Sequence, residues 1–104
     1  MINSESNWKK SKPVHRLVVR RYSERSVAAI QAIANDTTID IIDRFFDLRD
    51  LAEKLRKESR MLNNGLTRSS MPTAMMLFYR DGLLTREDIV EFSQELQDWI
   101  THEW

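Results

Sequence analysis

Residues 38–63 read TIDIIDRFFDLRDLAEKLRKESRMLN, and this stretch decides the fold. Ile41, Leu48, Leu55 and Leu62 recur every seven residues, with Phe45, Leu51 and Ala52 beside them. That spacing predicts one long helix with an apolar stripe over about six turns. Asp36-Thr37-Thr38 supplies cap-type side chains for its free N–H groups, and Asn63-Asn64-Gly65 supplies a left-handed stop.

Upstream, Ser23 is a candidate N-cap for a helix over about 24–35, with Val27, Ile30, Ile33 and Ala34 on one side. Before it, Val14 to Tyr22 is β-branched and partly alternating. Residues of about 15–22 fit a short strand or the opening of a helix, and periodicity alone leaves both open. The first 13 residues, MINSESNWKKSKP, are expected to be a flexible polar and basic arm that Pro13 closes. Downstream, Ser70-Met71-Pro72 predicts a third helix over about 71–81, ending at Gly82. Thr85 and Asp88 have capping-box spacing, and Leu84 can staple onto Ile89, so a last helix is expected over about 86–102. Its buried face would be Ile89, Phe92, Leu96, Trp99 and Ile100. The fold class is therefore all-α, a compact bundle of four helices in a single domain over 14–104.

The 104 residues leave room for one domain. An apolar share of 41% is too high for a disordered tail, and no run approaches the ~20 apolar residues of a spanning helix. A soluble, cytoplasmic protein is expected. The absence of cysteine excludes disulfides, thiolate catalysis and zinc–thiolate sites. Sixteen bases balance 16 acids, but unevenly along the chain. Residues 1–26 carry seven bases and two acids, whereas 81–104 carry one base and seven acids. Such a dipolar chain can turn its basic end to nucleic acid or neutralise itself on folding.

Catalytic and metal chemistry lacks its residues. His15 and His102 stand near opposite ends, outside any His-x-x-x-His or Glu-x-x-His pattern. Asp40, Asp43, Asp47 and Asp50 line one helix face. Acid-before-base pairs such as Asp40–Arg44, Asp50–Lys54 and Glu53–Lys57 predict a self-paired face there. Gly65 and Gly82 stand alone, so no glycine-rich phosphate loop exists. No enzyme activity, cofactor or metal is expected.

Surplus apolar residues point elsewhere. Ile39, Ile42 and Phe46 form a second patch on the long helix, away from its main stripe. Trp99 borders the acidic face of Glu91, Glu95 and Asp98 and is a candidate interface anchor. These seven are the candidate partner-binding residues, and the partner is another protein, either a second copy or a different chain. The expected function is a regulatory or inhibitory adaptor.

The alternative is nucleic-acid binding through residues 9–25, with Lys9, Lys10, Lys12, Arg16, Arg20 and Arg21 on phosphates and Trp8 and Tyr22 able to stack on bases. Residues 15–46 resemble a ribbon-helix-helix DNA-binding unit. Arg16 to Arg21 would be its strand, Ser23 to Ala34 its first helix, and Thr37-Thr38 the cap of its second. The resemblance implies a dimer whose paired strands enter the major groove, Arg16, Val18 and Arg20 facing outward, with an antitoxin-like acidic C-terminal region for a second partner. The inter-helix turn is short and lacks glycine, and the second helix is longer than that unit needs.

Overall fold

The computed structural model describes residues 1–64 and 66–103, without the side chains of Met61, Asn63 and Asn64. The expected stop at Gly65 and the terminal Trp104 lie outside the described residues. Among the described residues, four α-helices follow in order: α1 (Glu5–Ala34), α2 (Ile41–Asn64), α3 (Met71–Arg80) and α4 (Gln94–Thr101), with one 3-10 turn at Glu87–Ile89. The fold is all-α, and no strand occurs among the described residues.

The largest departure from the sequence reading is α1. It starts at Glu5, not near residue 24, and takes in both the expected arm and the expected strand. Ser4 is its N-cap, its side chain accepting from the Asn7 N–H at 3.2 Å. The helix runs through Pro13, which is exposed and has no N–H to donate to the Lys9 carbonyl. A proline in a helix interior costs about 3 kcal/mol, and burial along the opposite side offsets it. Asn7, Ser11, Val14, Val18 and Tyr22 follow spacings of three and four and are all buried. Ser23, expected as a cap, lies in mid-helix with its hydroxyl donating to the Val19 carbonyl at 2.7 Å.

The N-terminal half of α1 is the spine of a head formed with α3, the 3-10 turn and α4. Met71 and Met75 of α3, Leu83, Leu84, Ile89 and Phe92 of the connection, and Leu96 and Ile100 of α4 close the core over Val14 and Val18. Leu62, at the end of α2, is buried in the same core. The His15 imidazole Nε2 donates to the Leu62 carbonyl, tying α2 to α1 there. Helix α3 ends as its sequence predicts. Gly82 has φ +78°, and the Leu83 N–H reaches back to the Phe78 carbonyl at 3.0 Å, so the last turn closes on a left-handed residue.

The single last helix expected over 86–102 is broken. The Asp88 carboxylate accepts from the Thr85 N–H at 2.7 Å and its hydroxyl at 2.9 Å, but only a 3-10 turn follows. Ser93 then caps α4, because Asn7 holds it in place. The Asn7 amide donates to the Ser93 hydroxyl and accepts from the Ser93 N–H, both at 2.9 Å. It also donates to the Ile2 carbonyl at 3.2 Å. This one buried amide binds the start of α1 to the start of α4.

The connection between α1 and α2 is a compact hairpin turn. Asp40, rather than Thr37 or Thr38, caps α2 by accepting from the Ile42 N–H at 2.8 Å. Arg44 turns away from Asp40 and donates to the Ala34 carbonyl at 2.9 Å and the Ile39 carbonyl at 3.0 Å, closing the C-terminal end of α1. The two helices run back to back as an arm, and the described chain measures 53 × 25 × 24 Å.

Asn7→Ala removes both reciprocal bonds to Ser93 from a site that is 1% exposed. Urea denaturation is expected to show a loss of about 2–3 kcal/mol, and an unchanged midpoint would contradict the role given to this amide.

Candidate functional site

From Ser23 to Arg60, all of them described, no residue is buried. Leu48, Leu51 and Leu55, the inward stripe of α2, are only half-buried, as are Ile33 and Ile39 near the turn. Six large apolar side chains stand open toward the tip of the arm: Val27 at 52%, Ile30 at 37%, Ile41 at 65%, Ile42 at 63%, Phe45 at 64% and Phe46 at 44%. A two-helix arm has one inward line of contact, and both of its flanks stay open unless something else covers them.

One flank faces the head. There, Tyr22, Arg25, Leu51, Leu55, Leu77 and Phe78 line an open groove of about 520 Å³. Tyr22 donates its hydroxyl to Glu58 at 2.9 Å, and Arg25 donates to Asp81 at 2.8 Å, so this flank is tied to α3 at its base. The other flank has no head behind it. Val19, Ser23 and Val27 of α1 meet Ala52, Arg56 and Ser59 of α2 along its floor. Ile30 and Phe45 extend that row toward the tip by helical spacing, three residues beyond Val27 and seven before Ala52.

Of the residues singled out from sequence, Ile42 and Phe46 are exposed on the arm, and Ile39 is half-buried beside the turn. The Phe46 ring stacks under the Arg49 guanidinium at 4.8 Å and meets Phe45 edge-on at 5.6 Å. Ile41 and Phe45, expected on the apolar stripe of the long helix, and Val27 and Ile30, expected on the apolar side of the first, belong to this surface. The hydrophobic spacing is present, but nothing in this chain's own fold buries these side chains.

Trp99 is half-buried against the core, at the edge of a shallow recess shared with Ile2, Glu95, Asp98 and His102. Glu95 receives the Met1 amine at 3.1 Å, Asp98 accepts from Gln94 at 2.8 Å, and Glu91 is exposed. The Ile42 end of α2 lies about 30 Å along the helix from Leu62 in the head core, so the structure does not unite the two groups of partner-binding candidates.

The basic candidates are dispersed as well. Lys9 pairs with Glu5 at 3.5 Å, Arg20 with Glu24 at 3.1 Å, and Lys12 sits over the Trp8 ring at 4.8 Å. Lys9, Lys12, Arg16 and Arg20 share one exposed side of α1, and Lys10 is displaced from it. The strand that a ribbon-helix-helix unit requires is helix here, which removes the structural basis of that resemblance. Arg21 is engaged inward. Its guanidinium holds Asp88 through bonds of 2.6 and 3.2 Å and donates to the Leu83 carbonyl at 3.0 Å.

Among the described residues, no three His, Asp or Glu side chains converge as metal ligands, and no helix is long and apolar enough to cross a membrane. No protein-family model matches the sequence, and neither does any curated protein or solved structure.

The Arg21 hydrogen bonds, helped by those from Thr85 and opposed by burial, hold the Asp88 carboxyl down at about 2. A depressed carboxyl stabilises the fold above its unfolded value of 3.8 and loses that contribution as pH falls toward 2. With Arg21 partly exposed, the effect is on the order of 1–2 kcal/mol. Asp88→Asn is expected to be less stable by that amount at pH 7. The gap between variant and native chain should close between pH 4 and pH 2 in denaturation curves, and a constant gap would contradict the assignment.

Proposed function

We propose that this protein works by binding another protein through the open end of the α1–α2 arm, as a non-catalytic adaptor in a regulatory or inhibitory role. The observation that carries the reading is the set of six large apolar side chains, 37–65% exposed, at the end of an arm in which no residue from Ser23 to Arg60 is buried. They leave roughly 600 Å² of apolar surface in water, at or above the largest patch of an ordinary monomer. Covering it is worth on the order of 10 kcal/mol before association and ordering costs. Phe45 and Phe46, at the centre of the α2 part, have the side-chain type that anchors interfaces. Trp99 is a weaker candidate, because most of its ring already belongs to the head.

The row of Lys9, Lys12, Arg16 and Arg20 supports a second reading, phosphate contact along α1. Duplex DNA binding that weakens with a log–log salt slope of several would favour it, while two of those four cations already pair with acids on their own helix.

A photo-reactive residue in place of Phe45, activated in living cells, is the test of the first reading. A covalent adduct with a protein chain, of either the same or a different sequence, is expected from position 45 and not from Glu87 on the head. Equal labelling at the two positions, or none at 45, would overturn it.

A further inference from the structure

We infer that the occupant of the open flank is an acidic amphipathic helix of a different protein, lying along the trough between α1 and α2. This rests on the docking reading above and names the chemistry of the partner.

The trough holds about 320 Å³ between the two helices, and its two ends differ. Its floor is low where Ser23 of α1 faces Ala52 and Ser59 of α2, so a bulky side chain can enter from above. Toward the tip, Val27, Ile30 and Phe45 make the surface apolar. Toward the head it turns basic. Arg16, Arg20, Ser23 and Val27 follow spacings of four, three and four, which puts both arginines in line with the α1 wall. Arg56 lines the trough from α2, and Arg60 stands one turn beyond it. All four arginines are exposed. The acids beside them are Glu24, which holds Arg20 at 3.1 Å, and Glu53, which holds Arg56 at 2.7 Å. Among the described residues, no acid pairs with Arg16 or Arg60. Four arginines against two glutamates leave this end at +2.

The head-facing flank has the opposite balance. Asp43 and Asp47 fall in line with Lys54 by spacings of four and seven, and Glu58 and Asp81 join them, against Arg25 and Lys54 alone. An acidic partner is therefore drawn to the open flank and turned away from the other. The walls decide its backbone. Both are helices whose backbone bonds are made internally, so an extended segment would find no partners for its N–H and carbonyl groups, whereas a helix needs none. From Arg16 to Ile30 the trough runs about 20 Å, the length of a helix of about 14 residues. Such a helix completes a three-helix arm, with its apolar residues on Val27, Ile30 and Phe45 and its acids at the arginine end. A second copy's open flank is basic like this one, and like charge would keep the two apart. Nucleic acid would meet the arginines, but the tip half of the trough offers it only apolar side chains.

Calorimetric titration of the full chain with two synthetic peptides is the test. Each is a capped peptide of about 14 residues with leucine at every third or fourth position. The positions between hold alanine and glutamate in one peptide, alanine and lysine in the other. The glutamate peptide is expected to bind at least about tenfold more tightly. Arg20→Glu combined with Arg56→Glu should reverse that preference. Val27→Ala combined with Phe45→Ala should weaken the glutamate peptide about tenfold and leave the sign of the preference unchanged. All four positions are exposed, so the variants should fold, and helical circular dichroism checks this. Equal affinity for the two peptides, no binding of the glutamate peptide at about 1 mM, or a preference that survives the double arginine substitution would overturn the inference. A random DNA duplex that binds more tightly than the glutamate peptide would overturn it too, and would assign the arginines to phosphate. A photo-adduct from position 45 reports docking whatever the partner's charge, so this inference can fail while docking stands. An adduct with this same chain would sink it as well.

Discussion

The continuous face of α1 formed by Asn7, Ser11, Val14, Val18 and Tyr22 governs the rest of the structure. The buried core packs on or near these four turns, from Leu62 to Ile100. Because the helix does not stop there, the same backbone that organises the head also carries the arm outward. Three further turns of α1 emerge from the core with no buried residue among them. The head fixes the direction of the arm, and Arg25–Asp81 and Tyr22–Glu58 brace it where it leaves the head.

The two halves are held by different physics. In the head, packing is dense and the polar groups that enter it are matched, as with Asn7 against Ser93 and Arg21 against Asp88. In the arm, the helices are stabilised mostly by local devices: Arg44 on the last carbonyl of α1, Asp40 on the Ile42 N–H in the first turn of α2, and side-chain ion pairs such as Arg56–Glu53 at 2.7 Å. Exposed pairs of this kind contribute a few tenths of a kcal/mol each, well below the gain from burying one leucine. The arm is therefore the part of the molecule with the most to gain from a partner.

Much of the fold was legible in the sequence. The sevenfold spacing of Ile41, Leu48, Leu55 and Leu62 announced α2, and Pro72 and Gly82 bracketed α3. Helix α1 was hidden for a definite reason. Two members of its buried stripe, Asn7 and Ser11, are polar, so hydrophobic periodicity is silent there, and Pro13 imitates a boundary. The alternation of Val14 to Tyr22 completes the disguise. Ser4 followed by Glu5 is the signal that marks the true start. The break before α4 was hidden too, since it depends on Asn7 reaching Ser93 across 86 residues of chain. The candidate site was half legible: Ile42 and Phe46 were visible as surplus, but Val27, Ile30 and Phe45 share the spacing of core residues. Periodicity reports that a face seeks cover and does not report which chain supplies it.

The central claim is that the arm is an unfinished core held out by a finished one. Hydrogen exchange resolved along the chain at submicromolar concentration tests it most directly. Amides of residues 24–58 should exchange far faster than those of 14–22 and 94–100, since opening the arm exposes little that is not already exposed. Equal protection along the whole length of α1 and α2 would show that the arm is stable on its own, and would contradict the account.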